Sequence, residues 1–448
     1  MASIAEQLAS NINFGSLSKA EDLKKRIWFT IMALLIFRLG TYIPLPGVDA
    51  HIMAAITAKH AGGILGIFNR FSGGALGRMS IFALGVMPYI SSSIIMQLLT
   101  VVSPHLEALK KEGESGRKKI NQYTRYGTVL LAVVQGYFMA VGLEAMGGPL
   151  GPPVVLPGLL FRIVALITFT GGTLFLMWLG EQITSRGVGN GVSLIIFSGI
   201  VAGLPGAVVS TLELGRTGAL SALSIISVLV LAVLVITFVV FVERAQRRIV
   251  VQYPKRQIGQ KMYGGQSSHL PIKVNSSGVI PPIFASALLG IPASILAFGN
   301  AENPSGFFST LATYMGEGHP LYFFVFVGLI TFFAFFYTSI IFNPDETAEN
   351  LKKNGGFVPG YRPGKHTSEY LDYILTRLTV IGAIYLSAVC VMPSILIGQF
   401  GVPFYLGGTS LLIVVGVGMD TMAQVQSHLI AHQYEGLIKK SKLKGRKD

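Results

Sequence analysis

SIFALGVMPYISSSIIMQLLTVV, Ser80–Val102, is an apolar run of 23 residues with a glycine and a proline inside it. Its length suits a bilayer, whose hydrocarbon core takes about 20 helical residues. Its Gly85-Val86-Met87-Pro88 core does not suit an undisturbed helix, because glycine loosens the backbone and proline deletes a hydrogen bond. Irregular backbone at membrane depth persists only where it is buried in protein or lines a watery cavity. The approach to the run is odd as well. FNRFSGGALGRMS, Phe68–Ser80, holds two arginines, three glycines and two serines, and enters the span without a turn.

Working outward, nine further runs of similar length can be read. The set is 27–44, 80–102, 126–146, 159–180, 191–210, 219–242, 279–298, 321–342, 375–398 and 404–425, the fifth broken by GLPG. Composition agrees with a polytopic membrane protein. Of the 448 residues 51% are hydrophobic and 12% charged, half the roughly 25% charge of a soluble domain, and mean hydropathy is +0.60. The single cysteine, Cys390, excludes an intramolecular disulfide framework. No cleavable signal peptide is expected, since the first apolar run leads into YIPLPG rather than a small-residue cleavage site.

The net charge of +14 is largely a topology signal. With the N-terminus inside, 29 of the 35 Lys and Arg residues fall on the inner side. Lys59, Arg70, Arg78, Arg162 and Arg216 fall outside, and Arg38 falls within span one. The positive-inside rule therefore places both termini in the cytoplasm.

Two halves of five spans, 27–210 and 219–425 joined by a connection at 211–218, must cross in opposite senses, as in inverted-repeat transporters. One match supports the repeat: GVMPYI (Gly85–Ile90) and GVIPPI (Gly278–Ile283) each open the second span of their half. The pair reads either as flanks of an internal cavity or as two simple proline kinks.

The spans hold almost no ionisable residues, whereas ion-coupled carriers normally keep them there. Arg38 and Glu144 are expected to snorkel at the outer boundary and Asp420 lies near the inner end of span ten. No metalloprotease, nucleophile-elbow or phosphate-loop motif appears. GVGNG (Gly187–Gly191) follows no strand, and His428 and His432 lack a third ligand. The inner loops are large and basic: 243–278 alone carries Arg244, Arg247, Arg248, Lys255, Arg256 and Lys261. It reads as a hairpin arm attractive to an acidic surface or RNA phosphate. Three classes stay open on the residues alone: a protein-conducting channel, a small-solute secondary transporter, and a scaffold that recruits RNA or ribosomes without a pore.

The motifs then resemble a known family. FSGGALGRMSIFALGVMPYISSSIIMQLLTVV, KKEGESGRKKINQYTRYGT, FLMWLGEQIT, GVGNGVSLIIFSGIVAGLP, VVFVERAQRRI, FNPDETAENLKKNGGFVPG and PFYLGGTSLLIVVGVGMDTMAQVQ occur in order and resemble the bacterial SecY family nearly end to end. The resemblance implies an all-α polytopic membrane protein, ten transmembrane helices in two inverted five-helix halves, with a central hourglass pore, a plug and a lateral gate. It implies a non-enzymatic channel with no cofactor or metal, which passes unfolded polypeptides and releases hydrophobic segments into the bacterial cytoplasmic membrane. By motif, the pore ring is Val86, Ile90, Val192, Ile196, Ile283 and Ile413. Family rings are mostly isoleucine, so the two valines imply a slightly wider ring, and Pro281–Pro282 is a second departure.

The segment at about 66–80 matches the plug: Phe68, Asn69, Arg70, Phe71, Ser72, Gly73, Gly74, Ala75 and Leu76. Because a plug must leave when a chain arrives, it is expected to lack a large apolar contact. Gln97, Asn275 and Thr409 match the lateral gate between spans two and three on one side and seven and eight on the other. The loops 243–278 and 343–377, with Arg247, Arg248, Arg256 and Arg362, match the docking surface for the SecA ATPase or the ribosome. SecE and SecG are implied as subunits, with signal sequences, nascent polypeptides and membrane lipid as further partners, and SecDF and YidC beyond them. Residues 1–26 and 426–448 are the cytoplasmic N-terminal segment and basic tail.

Overall fold

The computed structural model describes residues 20–59, 69, 72–145, 151–218, 221–253, 256–258, 261–263, 267–298, 320–400 and 407–444. The chain is predominantly helical. In order it forms α1 (Glu21–Gly40), α2 (Ala50–Lys59), α3 (Met87–Val102), α4 (Pro104–Lys111), α5 (Glu114–Ala145), α6 (Leu159–Arg186), α7 (Gly191–Arg216) and α8 (Ala222–Arg244). Four short strands follow: β1 (Gln246–Gln252), β2 (Arg256–Ile258), β3 (Lys261–Tyr263) and β4 (Ser267–Lys273). The remainder is α9 (Ile280–Phe298), α10 (Pro320–Ile341), α11 (Pro344–Lys353), α12 (Lys365–Phe400) and α13 (Gly408–Lys444).

Among the described residues seven helices are long and apolar enough to cross a membrane, or eight if the bent pair α3–α4 is one span. That bend is 97° and has a local cause, because Pro104 opens α4 and a proline restricts the residue before it. The first and seventh apolar runs are helical too, as α1 and α9. Two expectations need correcting. Run two is helical only from Met87, residues 81–86 being turns, since hydropathy does not distinguish an apolar turn from an apolar helix. Run five is not broken: α7 stays helical through GLPG with Pro205 inside it, because neighbouring groups in a membrane protein can re-satisfy the backbone that proline frees.

The chain groups into two compact units. Unit one comprises residues 1–208, 290–313 and 417–448, and unit two residues 209–289 and 314–416. In unit one, α5 packs along α3 and α6, and α1 lies against α6. Its apolar core joins Leu45, Val48, Met53, Met79, Leu84, Leu143, Phe161 and Phe169. In unit two, α10 and α11 pack on α12. The arm is an antiparallel β1–β4 ribbon, with Gln246 opposite Lys273 and Gln252 opposite Ser267, and a smaller β2–β3 ribbon within it.

Candidate functional site

Both copies of the Gly-Val-x-Pro motif do the same thing. Gly85 has φ +57° and Gly278 φ +63°, the left-handed region that favours glycine. The helix then starts at the third motif residue in each, Met87 for α3 and Ile280 for α9. Pro88 and Pro281 therefore occupy the first helical turn. There the missing N–H removes no intrahelical bond and the fixed φ suits the helix. They are helix starters and neither kinks a span.

In unit one, Val86 caps α3 and its carbonyl accepts the Ile90 N–H at 3.0 Å, and both side chains are buried. Val192 and Ile196 lie one turn apart at the start of α7. Their position is set by a glycine crossing, since a Cβ on Gly191 would lie 1.9 Å from the Gly180 carbonyl oxygen of α6. The turn before α7 is GVGNG, four of whose N–H groups are already engaged, Gly187 donating to Ile183 O at 2.8 Å. Val188 donates to Thr30 Oγ1 at 3.1 Å, Gly189 to Gln424 Oε1 at 2.9 Å and Gly191 to Thr184 Oγ1 at 2.8 Å. It is a junction of helices, not a phosphate loop.

In unit two, Ile283 lies in the first turn of α9 and Ile413 in α13, where it is 1% exposed. A Cβ on Gly416 would lie 2.4 Å from Val279 Cγ1, so the start of α9 rests on α13 one turn past Ile413. Val279 was missed by the residue assignment, although aligning the two motifs places it opposite Val86.

Of the plug assignment, Phe68, Arg70 and Phe71 lie outside the described residues. Among the described residues, Asn69 and 72–79 form a folded knot. Asn69 O accepts the Gly74 N–H at 2.8 Å, Asn69 Oδ1 accepts the Gly77 N–H at 2.7 Å, and Ser72 Oγ accepts from Leu76 N at 3.2 Å. Gly73 (φ +66°) and Gly74 (φ +84°) form its bend. The expected lack of apolar contact is not what the structure shows. Leu76 and Met79 belong to the core of unit one, and Ala75 and Met79 are fully buried. Leu45 N donates to Met79 O at 2.8 Å and Ile81 N to Ile43 O at 3.0 Å, which anchors the segment's C-terminal end. Arg38, expected at the outer boundary, has fixed partners there: it donates to Gly73 O at 2.7 Å and to Tyr42 Oη at 2.9 Å. Glu144 is likewise engaged, accepting from Arg162 Nε at 2.7 Å and Gly158 N at 2.8 Å.

Two of the gate candidates, Gln97 and Asn275, have side-chain partners within their own unit. Gln97 Nε2 donates to Ser93 Oγ at 3.3 Å, and its Oε1 is buried without a partner. Asn275, 2% exposed, donates to Glu243 Oε1 at 2.7 Å and Gly278 O at 3.1 Å, and accepts from Ser277 Oγ at 3.0 Å. It therefore ties the end of α8 to the turn that starts α9. Thr409 is the second residue of α13 and is half-buried.

The two basic loops form one body. Ile249 and Ile272 of the β1–β4 ribbon share a core with Val358, Leu371 and Leu375, and Gln252 and Phe357 exchange both backbone bonds at 2.9 Å. Arg247 and Arg248 are exposed on β1, Arg256 opens β2, and Arg362 is exposed in the loop before α12. Beside Arg362 is an open hollow of about 670 Å³ lined by Tyr361, His366, Glu369, Tyr370 and Tyr373. Tyr361 stacks on Tyr370 with centroids 4.0 Å apart.

Residues 80–422 match the family model described as SecY. The chain belongs to the SecY family. Among its SecY relatives, proteins named Protein translocase subunit SecY from Rickettsia conorii and Escherichia coli K12 are each 54% identical to it. The first alignment covers 96% of this chain and 99% of that relative, the second 95% and 96%. The SecY fold is also found in solved structures. One described as the structure of a protein conducting channel aligns with TM-score 0.65 at 17% identity, covering 91% of this chain and 92% of that one. Sec61 in the canine ribosome-channel complex aligns with TM-score 0.62 at 17% identity and the same coverage. The fold is thus that of a multi-pass SecY-family membrane protein.

Proposed function

We propose that this chain is the protein-conducting channel of a Sec translocase. It passes unfolded polypeptides across a bacterial cytoplasmic membrane and releases hydrophobic segments sideways into lipid. The observation that carries the reading is the 54% identity, over nearly the whole chain, to relatives named as translocase subunits. The small-solute carrier alternative finds no support among them.

Ten crossings with both termini cytoplasmic follow from the Lys and Arg distribution. Val86, Ile90, Val192, Ile196, Ile283 and Ile413 form the constriction. A narrow aliphatic ring dewets, so ions meet a desolvation barrier, while a passing chain finds no hydrogen bond to hold it. The segment at 66–80 closes the pore at rest. Gln97, Asn275 and Thr409 set how apolar a signal must be to part the gate. A polar contact across transmembrane helices holds by about 0.6–2 kcal/mol, which an apolar signal helix can displace. The chain carries no nucleotide motif, so the driving force comes from SecA or a ribosome. Either docks on the body that carries Arg247, Arg248, Arg256 and Arg362, and SecE and SecG brace the assembly. The ribosome assignment draws support from the canine ribosome-channel complex among the fold's neighbours.

The test places a photo-crosslinker at Ile413 and stalls a secretory protein mid-export in vesicles holding this chain, SecE, SecG and SecA. A crosslink to the stalled chain, lost when its signal is deleted, supports passage through the ring. Intact export without a crosslink overturns the ring.

A further inference from the structure

We propose that Arg38, Tyr42 and Arg78 are positioning residues that latch the plug shut by its Gly73 carbonyl. This rests on reading residues 66–80 as a plug. One carbonyl oxygen receives two guanidinium groups: Arg38 Nη1 donates to Gly73 O at 2.7 Å and Arg78 Nη2 donates to it at 3.1 Å. Tyr42 holds the two cations side by side. Its ring lies 4.9 Å from the Arg38 guanidinium carbon and 4.1 Å from that of Arg78, and its Oη accepts from Arg38 Nη2 at 2.9 Å. The negative face of an aromatic ring attracts cations, which offsets the mutual repulsion of two positive groups on one acceptor.

The site is fitted to glycine at position 73. A Cβ there would lie 3.0 Å from Gly199 Cα and 3.4 Å from Arg38 Nη1, and its φ of +66° is costly for other residues. A side chain at 73 would therefore push the carbonyl away from both arginines. The segment divides into a root and a tip. Leu76–Ser80 is rooted in the apolar core and bonded to residues 43–45, while Ser72–Gly74, with Asn69 bonded to it, is the tip, tied to the end of α1 by the latch.

The latch is also built to release. Arg78 Nε is buried without a partner, and a buried unsatisfied donor is costly. Withdrawing the tip frees that N–H to be hydrated, so opening recovers part of what the broken bonds lose. Hydrogen bonds to charged groups are among the stronger ones, so losing one arginine shifts the closed-to-open ratio by about tenfold or more.

The test measures resting ion leak through the purified complex, assembled with its partner subunits, in planar bilayers. Arg38→Gln, Arg78→Gln and Tyr42→Leu should each raise the leak about tenfold and increase export of a precursor with a weakened signal. Tyr42→Phe, which keeps the ring and loses one hydroxyl acceptor, should restore most of the seal. Should a glutamine variant fail to assemble, Arg38→Lys decides. Lysine keeps the charge but cannot reach Gly73 O and Tyr42 Oη as a fork, so a raised leak supports the latch and a wild-type leak overturns it. Deleting Ser72–Gly77 separates the two readings. If the deletion leaks while every latch variant stays sealed, the latch is wrong and the plug stands. If the deletion itself does not leak, the plug reading fails, and the latch with it.

Discussion

Gly171 and Gly172 are neighbours on α6 and should respond in opposite ways to alanine. A Cβ on Gly171 meets nothing within 4 Å, whereas one on Gly172 would lie 2.2 Å from the Ile81 carbonyl oxygen and 3.2 Å from the Phe82 ring. Ordinary contact begins near 3.4 Å, so the 81–82 backbone would have to retreat by about 1.2 Å, the difference between those two distances. It has nowhere easy to go. Ile81 N is bonded to Ile43 O at 3.0 Å, and the Phe82 ring is stacked between Phe37 and Phe175 at centroid distances of 6.3 and 5.8 Å. Overpacking of this kind costs about 1–3 kcal/mol. At Gly171 the same substitution adds helix propensity and gains up to about 1 kcal/mol. The two variants should therefore differ by about 1–4 kcal/mol, the Gly172 variant being the less stable. Thermal unfolding of the purified complex in detergent, followed by the fluorescence of Trp28 and Trp178, reads this directly. Because residues 81–82 connect the plug to Val86, Gly172→Ala should also leak ions at rest. Equal melting and equal leak for the two variants would refute the close approach of α6 to this turn.

Three further outcomes follow from the assigned residues. Ile90→Asn and Ile283→Asn should each raise resting ion conductance in planar bilayers, because a polar side chain rewets the constriction; an unchanged conductance counts against the ring. Gln97→Leu should lower the signal hydrophobicity needed for export, measured with graded signal sequences. Asn275→Leu should do the same and also destabilise by about 1–3 kcal/mol, since it leaves Glu243 without that donor; a fixed threshold in both variants removes the gate role. Replacing Arg247, Arg248 and Arg362 together by Glu should abolish ribosome co-sedimentation and SecA-driven export while leaving the melting temperature within about 2 °C, because all three are exposed. Undiminished binding would place the docking surface elsewhere.

Much of this architecture is legible without coordinates, and the exceptions share a cause. Runs of apolar residues mark where helices lie because the bilayer demands length and hydrophobicity, and each run meets a helix over most of its extent. Hydropathy cannot say where a helix starts inside an apolar run. The turn at Ile81–Val86 looked helical for that reason, although Gly85 followed three residues later by Pro88 is a start signal that can be read once proline is placed in a first turn. The internal repeat was visible, and it also contained Val279. Long-range polar pairing was not visible. Nothing in the spacing of Arg38, Tyr42, Gly73 and Arg78 shows that two guanidinium groups meet at the Gly73 carbonyl beside one aromatic ring, and nothing in the glycine count shows that Gly191 faces Gly180. The partner of Arg38, a backbone carbonyl 35 residues away in sequence, is invisible to any reading of span one alone.

The shared core beneath the two basic loops has a consequence for how the protein is made. A two-stranded ribbon is marginal by itself in water, and the inner face of β1–β4 is completed by Leu371 and Leu375, about a hundred residues downstream of Ile272. During synthesis the arm's arginines therefore emerge long before the α12 residues that complete the core beneath them. A half-made chain displays the charge of the arm without its shape, and gains the shape only when α12 arrives. The arm's final shape thus waits for most of the second half, an order of assembly written into where one small apolar cluster draws its residues from.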